Sequence, residues 1–200
     1  MAAANRLAHS YVQHILIAAQ AGDRSAPFRT FFDNWFAFQT AGPFLNQNSR
    51  PHWFNNPCPE KYGSALKNCH FISCAAARVL AGLSAERLVK DHCVPVSVLR
   101  EIIFDSGPRT TEDVEQLMLR FYRVGVITKE EDDLLTAEGM RSAMPEGWAA
   151  GDNPFARYSY AGVTGQQPSV SLPEQYRPRV GAKAKHSPFS TTSLSSNRHG

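Results

Sequence analysis

The sequence predicts a mainly α-helical fold with a small β element, an α+β domain. Two observations carry this prediction. Apolar residues recur at helical spacing along most of the chain between strong N-cap signals, and one short stretch, Val124 to Ile127, alternates around Gly125 as a strand does. The apolar fraction of 42% is enough to build a core.

Leu7, Tyr11, Ile15 and Ala18 predict a helix over 3–20 that ends near Gly22. A second, over 27–39, starts at Pro27 and carries Phe28, Phe31, Phe32 and Trp35 on one stripe. That stripe reads as a core face, and alternatively as a partner-binding face or a base-stacking platform. Residues 40–70 read as irregular, though they hold Phe44, Trp53, Phe54 and Tyr62. Ser73 caps a helix over 74–81 that Gly82 ends, and Ser84 caps a short helical turn to about Lys90. Pro95 opens a helix over 96–105, which Gly107-Pro108 stops. Thr110 with Asp113, and Thr128 with Glu131, form capping boxes for helices over 111–122 and 129–138. Trp148, Phe155, Tyr158 and Tyr160 anchor an irregular closing segment. The expected body is 1–163. Residues 164–200, rich in Pro, Ser and Thr, are expected to form a flexible basic tail.

The net charge of +3 is unevenly spread: +4 over 61–100, −6 over 101–138 and +4 over 164–200. Four cysteines occur, with no Cys-x-x-Cys pair and no small-scaffold spacing, so reduced thiols in a cytoplasmic protein are expected. No run of eighteen apolar residues exists, so no membrane partner is expected. Walker, Gly-x-Gly-x-x-Gly and Gly-x-Ser-x-Gly motifs are missing, which argues against ATP, dinucleotide and serine-hydrolase chemistry.

The string Leu88-Val89-Lys90-Asp91-His92-Cys93-Val94-Pro95 sets an acid beside a histidine, framed by apolar residues, ahead of a proline-started helix. It resembles the first element of the His-Me finger (HNH-like) endonucleases. The resemblance implies divalent-metal-dependent phosphodiester hydrolysis of DNA or RNA. Asp91 would be a metal ligand and His92 the general base, since an imidazole titrates near neutral pH. Mg²⁺ or another divalent cation would neutralise charge on the phosphate oxygens. The family's middle Asn has Asn153 as its only later candidate, and Glu131 and Asp133 would replace its last ligand on the helix after the strand. The strand near 123–127 would then pair with the stretch around Leu88 to Asp91.

Other readings stand beside this one. Asp91 can be a cap or a charge pair, and His92 a hydrogen-bonded core histidine. Cys69, His70, Cys74, His92 and Cys93 offer zinc-type donors without the usual short ligand pairs. Cys93 cannot pair with His92 as nucleophile and base if the two alternate along a strand. Arg141 and Arg157 can clamp a phosphate or pair with nearby acids. The cluster Glu130-Glu131-Asp132-Asp133 favours a helix N-terminus. It also supports the alternative function, a non-catalytic interaction module, inhibitor or adaptor, that binds a protein partner through an acidic helix or the aromatic loop.

Overall fold

The computed structural model describes residues 3–41 and 69–166. The aromatic loop bearing Phe44, Trp53, Phe54 and Tyr62, and the tail beyond Gln166, lie outside the described residues. In chain order the elements are α1 (Ala3–Gln20), α2 (Phe28–Ala41), β1 (Phe71–Ser73), α3 (Cys74–Leu80), β2 (Leu88–His92), α4 (Val96–Ser106), α5 (Thr111–Phe121), β3 (Val124–Thr128), α6 (Lys129–Ala137), α7 (Ala156–Tyr160) and β4 (Gly165–Gln166). The domain is therefore α+β and mainly helical.

The caps act as the sequence demands. Ser73 accepts the Ala76 N–H at 3.0 Å and starts α3. Both capping boxes form, Thr110 with Asp113 at α5 and Thr128 with Glu131 at α6. Gly107 ends α4 with φ 56°, in the left-handed region that suits glycine.

The sheet has the order β2-β3-β1-β4. β1 and β3 run parallel, while β2 and β4 flank them antiparallel. The register pairs Lys90 with Val126, Asp91 with Gly125 and His92 with Val124. Side chains alternate along a strand, so Leu88, Lys90 and His92 share one face, and Val89 and Asp91 share the other. The first face meets the largest core cluster at Val124, where Val12 and Ile15 of α1, Phe32 and Trp35 of α2, Ile103 of α4 and Met118 of α5 pack. The second face is covered by Leu135, Met140, Phe155 and Tyr158, packed on Phe71 and Ile127.

Two sequence expectations change, the Ser84 turn and the irregular closing segment, while the core reading of the α2 stripe holds. The turn of helix from Ser84 to Lys90 is not formed; its second half is β2, held by five residue pairs with β3. The aromatic stripe of α2 is core: Phe28, Phe32, Trp35, Phe36 and Phe38 are all buried. The closing segment, expected as irregular, contains α7. At the end of the described residues the Thr164 C=O accepts the Cys74 N–H at 2.8 Å and β4 pairs with β1.

Gly125 is required by packing rather than by a turn. A Cβ placed there would lie 2.6 Å from the Tyr158 hydroxyl oxygen, which crosses β3 to reach Asp91. Gly125→Ala is expected to destabilise the domain by about 1–3 kcal/mol, the cost of overpacking a tight core. Adding Tyr158→Phe, which removes the clashing oxygen, should cost less than the two single changes combined in a denaturant cycle.

Candidate functional site

Asp33 sits one turn inside α2 and turns its carboxylate toward the sheet. It is the partner shared by three groups. His92 Nε2 lies 2.7 Å from Oδ1, the Tyr122 hydroxyl donates to Oδ1 at 2.7 Å, and Lys90 Nζ lies 3.0 Å from Oδ2. Lys90 and His92 reach it together because they are two residues apart on one strand face. Tyr122 closes α5 as its C-cap residue. Its ring packs edge-on against His92 and Phe32, with centroids 5.5 and 6.3 Å away.

The cluster is largely withdrawn from water. His92 is 5% exposed and Tyr122 2%. Burial opposes ionisation of Asp33, yet the hydrogen bond from His92, the charge of Lys90 and the Tyr122 hydroxyl outweigh it, and the carboxyl is held far below its usual range. An ionised carboxylate accepts only, so Nε2 of His92 carries the proton of the neutral ring, and the lone pair is on Nδ1. Burial also lowers the His92 pKa against the pull of Asp33. It brings Lys90 down to about 8, again opposed by Asp33. Desolvation of the hydroxyl, and the Asp33 charge, raise Tyr122.

Across the sheet lies a second buried charge centre. Arg157 is 2% exposed and forms an ion pair with Asp91 Oδ2. Its remaining donors are spent on backbone: Nε to Cys93 C=O at 3.0 Å, one terminal nitrogen to Met140 C=O at 2.6 Å and the other to His92 C=O at 2.7 Å. The Tyr158 hydroxyl also donates to Asp91 Oδ2, at 2.8 Å. Guanidinium suits this task, since its planar fork satisfies several acceptors at once.

The structure does not gather the expected metal ligands. Asp91 and His92 are adjacent on β2 and so face opposite sides of the sheet. Asp91 is neutralised by Arg157. Glu131 accepts the Thr128 N–H at 2.9 Å and the Ser73 hydroxyl, which makes it a cap and a tie between β1 and α6. Asp133 is exposed and pairs with Lys129 one turn away. Asn153 is exposed, and its Oδ1 accepts the Phe155 N–H at 3.0 Å in a local turn. Among the described residues no three His, Cys, Asp or Glu side chains are grouped to hold a metal ion, which applies equally to the zinc-type set Cys69, His70, Cys74, His92 and Cys93.

Those residues have other work. His70 Nδ1 accepts the Val124 N–H at 3.1 Å, and burial, with the nearby charge of Arg123, lowers its pKa to about 3, so the ring stays neutral. Burial raises Cys69 to about 11 and pushes Cys93 up as well, so neither offers a thiolate near neutral pH. Arg141 is exposed. An open cleft of about 600 Å³ between Pro108, Arg109, Leu117 and Arg120 shares no lining residue with the His92 cluster.

Sequence reasoning missed Asp33 and Tyr122. The signal at Asp33 was available: a lone carboxylate inside a stripe of phenylalanines and a tryptophan needs a buried partner.

Arg157→Met should lower stability by about 3–5 kcal/mol, because it strands the Asp91 charge. Asp91→Asn in the same chain should recover part of that loss by removing the stranded charge, which chemical denaturation of the single and double variants measures.

No family model matches this chain, and no curated protein or solved structure matches it.

Proposed function

We propose that the protein cleaves phosphodiesters, with His92 as the proton acceptor and Asp33 as the residue that positions it. One observation supports this reading best. A single ionised carboxylate holds a neutral imidazole through one oxygen and an ammonium through the other, beneath a helix and within an otherwise apolar face of the sheet. Ionisable groups are costly to bury, and proton-transfer sites are where such arrangements concentrate. The imidazole accepts a proton at Nδ1 while Nε2 keeps its bond to Asp33. The Lys90 ammonium supplies positive charge for the phosphate oxygens, and Arg29, on the surface one turn before Asp33, adds to it.

Mg²⁺ or another divalent cation is the cofactor that the resemblance around Asp91-His92 implies. The described donors do not fit it. Asp91 is already neutralised by a buried guanidinium, and Glu131 and Asp133 are bound to Thr128, Ser73 and Lys129.

A second reading, a protein-binding module, draws support from α6. Leu135 anchors the helix in the core, while Glu130, Asp133 and Glu138 are exposed around Leu134, itself 40% exposed. That surface is an apolar side chain set among carboxylates, suited to a basic partner. No helix among the described residues is long and apolar enough to cross a membrane.

One assay separates the two. Wild type, His92→Gln and the pair Glu130→Lys with Asp133→Lys are incubated with labelled DNA and RNA, with Mg²⁺ and with chelator, after circular dichroism has verified folding. Phosphodiester cleavage predicts that His92→Gln loses about 10²–10⁴-fold and that the α6 pair keeps wild-type activity. Undiminished cleavage by folded His92→Gln removes His92 from the mechanism. No cleavage by any chain, with loss of a stoichiometric protein partner in the α6 pair, favours the binding module.

A further inference from the structure

We propose that Arg123, with His70 beside it, forms a site for an oxyanion, a phosphate or carboxylate group held by the open edge of the guanidinium and by the imidazole N–H. The site does not depend on cleavage at His92.

Arg123 lies in the link between α5 and β3 and is half-buried. An ion drawn into a fold needs a countercharge or a full set of hydrogen bonds. Arg157 has Asp91 as its countercharge, and Lys90 has Asp33. Among the described residues no carboxylate forms an ion pair with Arg123. The difference is electrostatic as well as geometric. Burial lowers the Arg123 pKa, whereas at Arg157 burial is outweighed by the Asp91 charge and the pKa is raised.

The bonds that Arg123 makes use one nitrogen. Nη1 donates to Leu119 C=O at 2.7 Å and to Tyr122 C=O at 2.9 Å, which closes the C-terminal end of α5. Nε and Nη2 have no hydrogen-bond partner among the described residues. Those two nitrogens share the side of the fork that meets two oxygens of a phosphate or carboxylate at once.

His70 brings a donor to the same end of the sheet. Its backbone N–H donates to Val124 C=O at 2.7 Å, and its Nδ1 accepts the Val124 N–H at 3.1 Å. These bonds fix the ring beside the residue that follows Arg123. With Nδ1 accepting, the proton of the neutral ring is on Nε2, which has no partner among the described residues. Phe36 packs against the ring, with centroids 5.6 Å apart. Burial, and then the Arg123 charge, keep the ring neutral, so it donates without adding charge. The buried side-chain polar atoms left without a partner among the described residues are Trp35 Nε1 and Gln39 Oε1. The open edge of Arg123 and Nε2 of His70 are not among them, so both reach solvent. An oxyanion supplies the acceptors for these donors and the countercharge for the guanidinium.

The test uses the full chain, labelled with ¹⁵N and titrated with inorganic phosphate or with acetate against sodium chloride at constant ionic strength. The readouts are the Arg123 Nε–H signal, assigned by its loss in Arg123→Met, and the thermal midpoint. Expected is a saturable shift of that signal with a matching rise in midpoint, and the anion that saturates at the lower concentration identifies the ligand class. Arg123→Met should abolish the anion-dependent rise. If that variant does not fold, Arg123→Lys, which keeps the charge and loses the fork, should weaken binding by about tenfold or more. His70→Leu should weaken it by about tenfold, the loss of one hydrogen bond to a charged group. Its affinity comes from the difference with and without anion, so the lost Val124 bond cancels. No saturation by either anion, or a rise in midpoint that survives in Arg123→Met or is undiminished in Arg123→Lys, overturns the site. Unchanged affinity in His70→Leu overturns the part assigned to His70.

Discussion

The buried carboxylate of Asp33 is the constraint on which the arrangement of α2 against the sheet depends. An ion in an apolar interior is tolerated only when its lone pairs are met, and Asp33 meets donors from β2 and from the end of α5 at once. The aromatic stripe of α2 supplies the burial, with Phe32 fully enclosed and Trp35 packed on Tyr122 at 5.9 Å. Apolar packing is non-directional, so it permits many rotations and shifts of a helix. The Asp33 bonds permit one, and that position determines where the imidazole and the ammonium stand.

A comparable arrangement occupies the other side of β2. Strand alternation assigns Asp91 to one face and His92 to the next, so a neighbouring acid and histidine in sequence serve two separate centres in space. Asp91 is tied down by Arg157, which at the same time binds the backbone carbonyls of His92 and Cys93. The guanidinium therefore secures the end of the strand that carries His92. Gly125 leaves the space through which Tyr158 completes this centre. The two faces are coupled through one strand, which gives the far face a part in holding the near one.

Much of the secondary structure was legible because its causes are local. The span of α1, the Ser73 cap and the two capping boxes follow from residues three or four apart, and the helices begin where those residues stand. The strand at Val124–Thr128 was readable from Val124, Val126 and Ile127 set around Gly125. β1 and β4, with three and two residues, were not, since their existence depends on partners far along the chain. Leu88–His92 is intermediate: five residues with a polar middle become a strand only beside β3. For the site, His92 stood out by its neighbours in sequence. Its partner did not, because Asp33 lies 59 positions away and no local pattern joins them. Asp91 was singled out as a cation ligand, whereas the buried countercharge is a residue 66 positions later.

The most direct test of this account is a double-mutant cycle on unfolding free energy between Asp33→Asn and Tyr122→Phe, residues joined by one hydrogen bond 2.7 Å long. The account predicts that the two changes are coupled by about 0.5–3 kcal/mol, the range for groups sharing a buried network. Additivity to within about 0.3 kcal/mol, as for distant and independent sites, would contradict the claim that Asp33 organises this cluster.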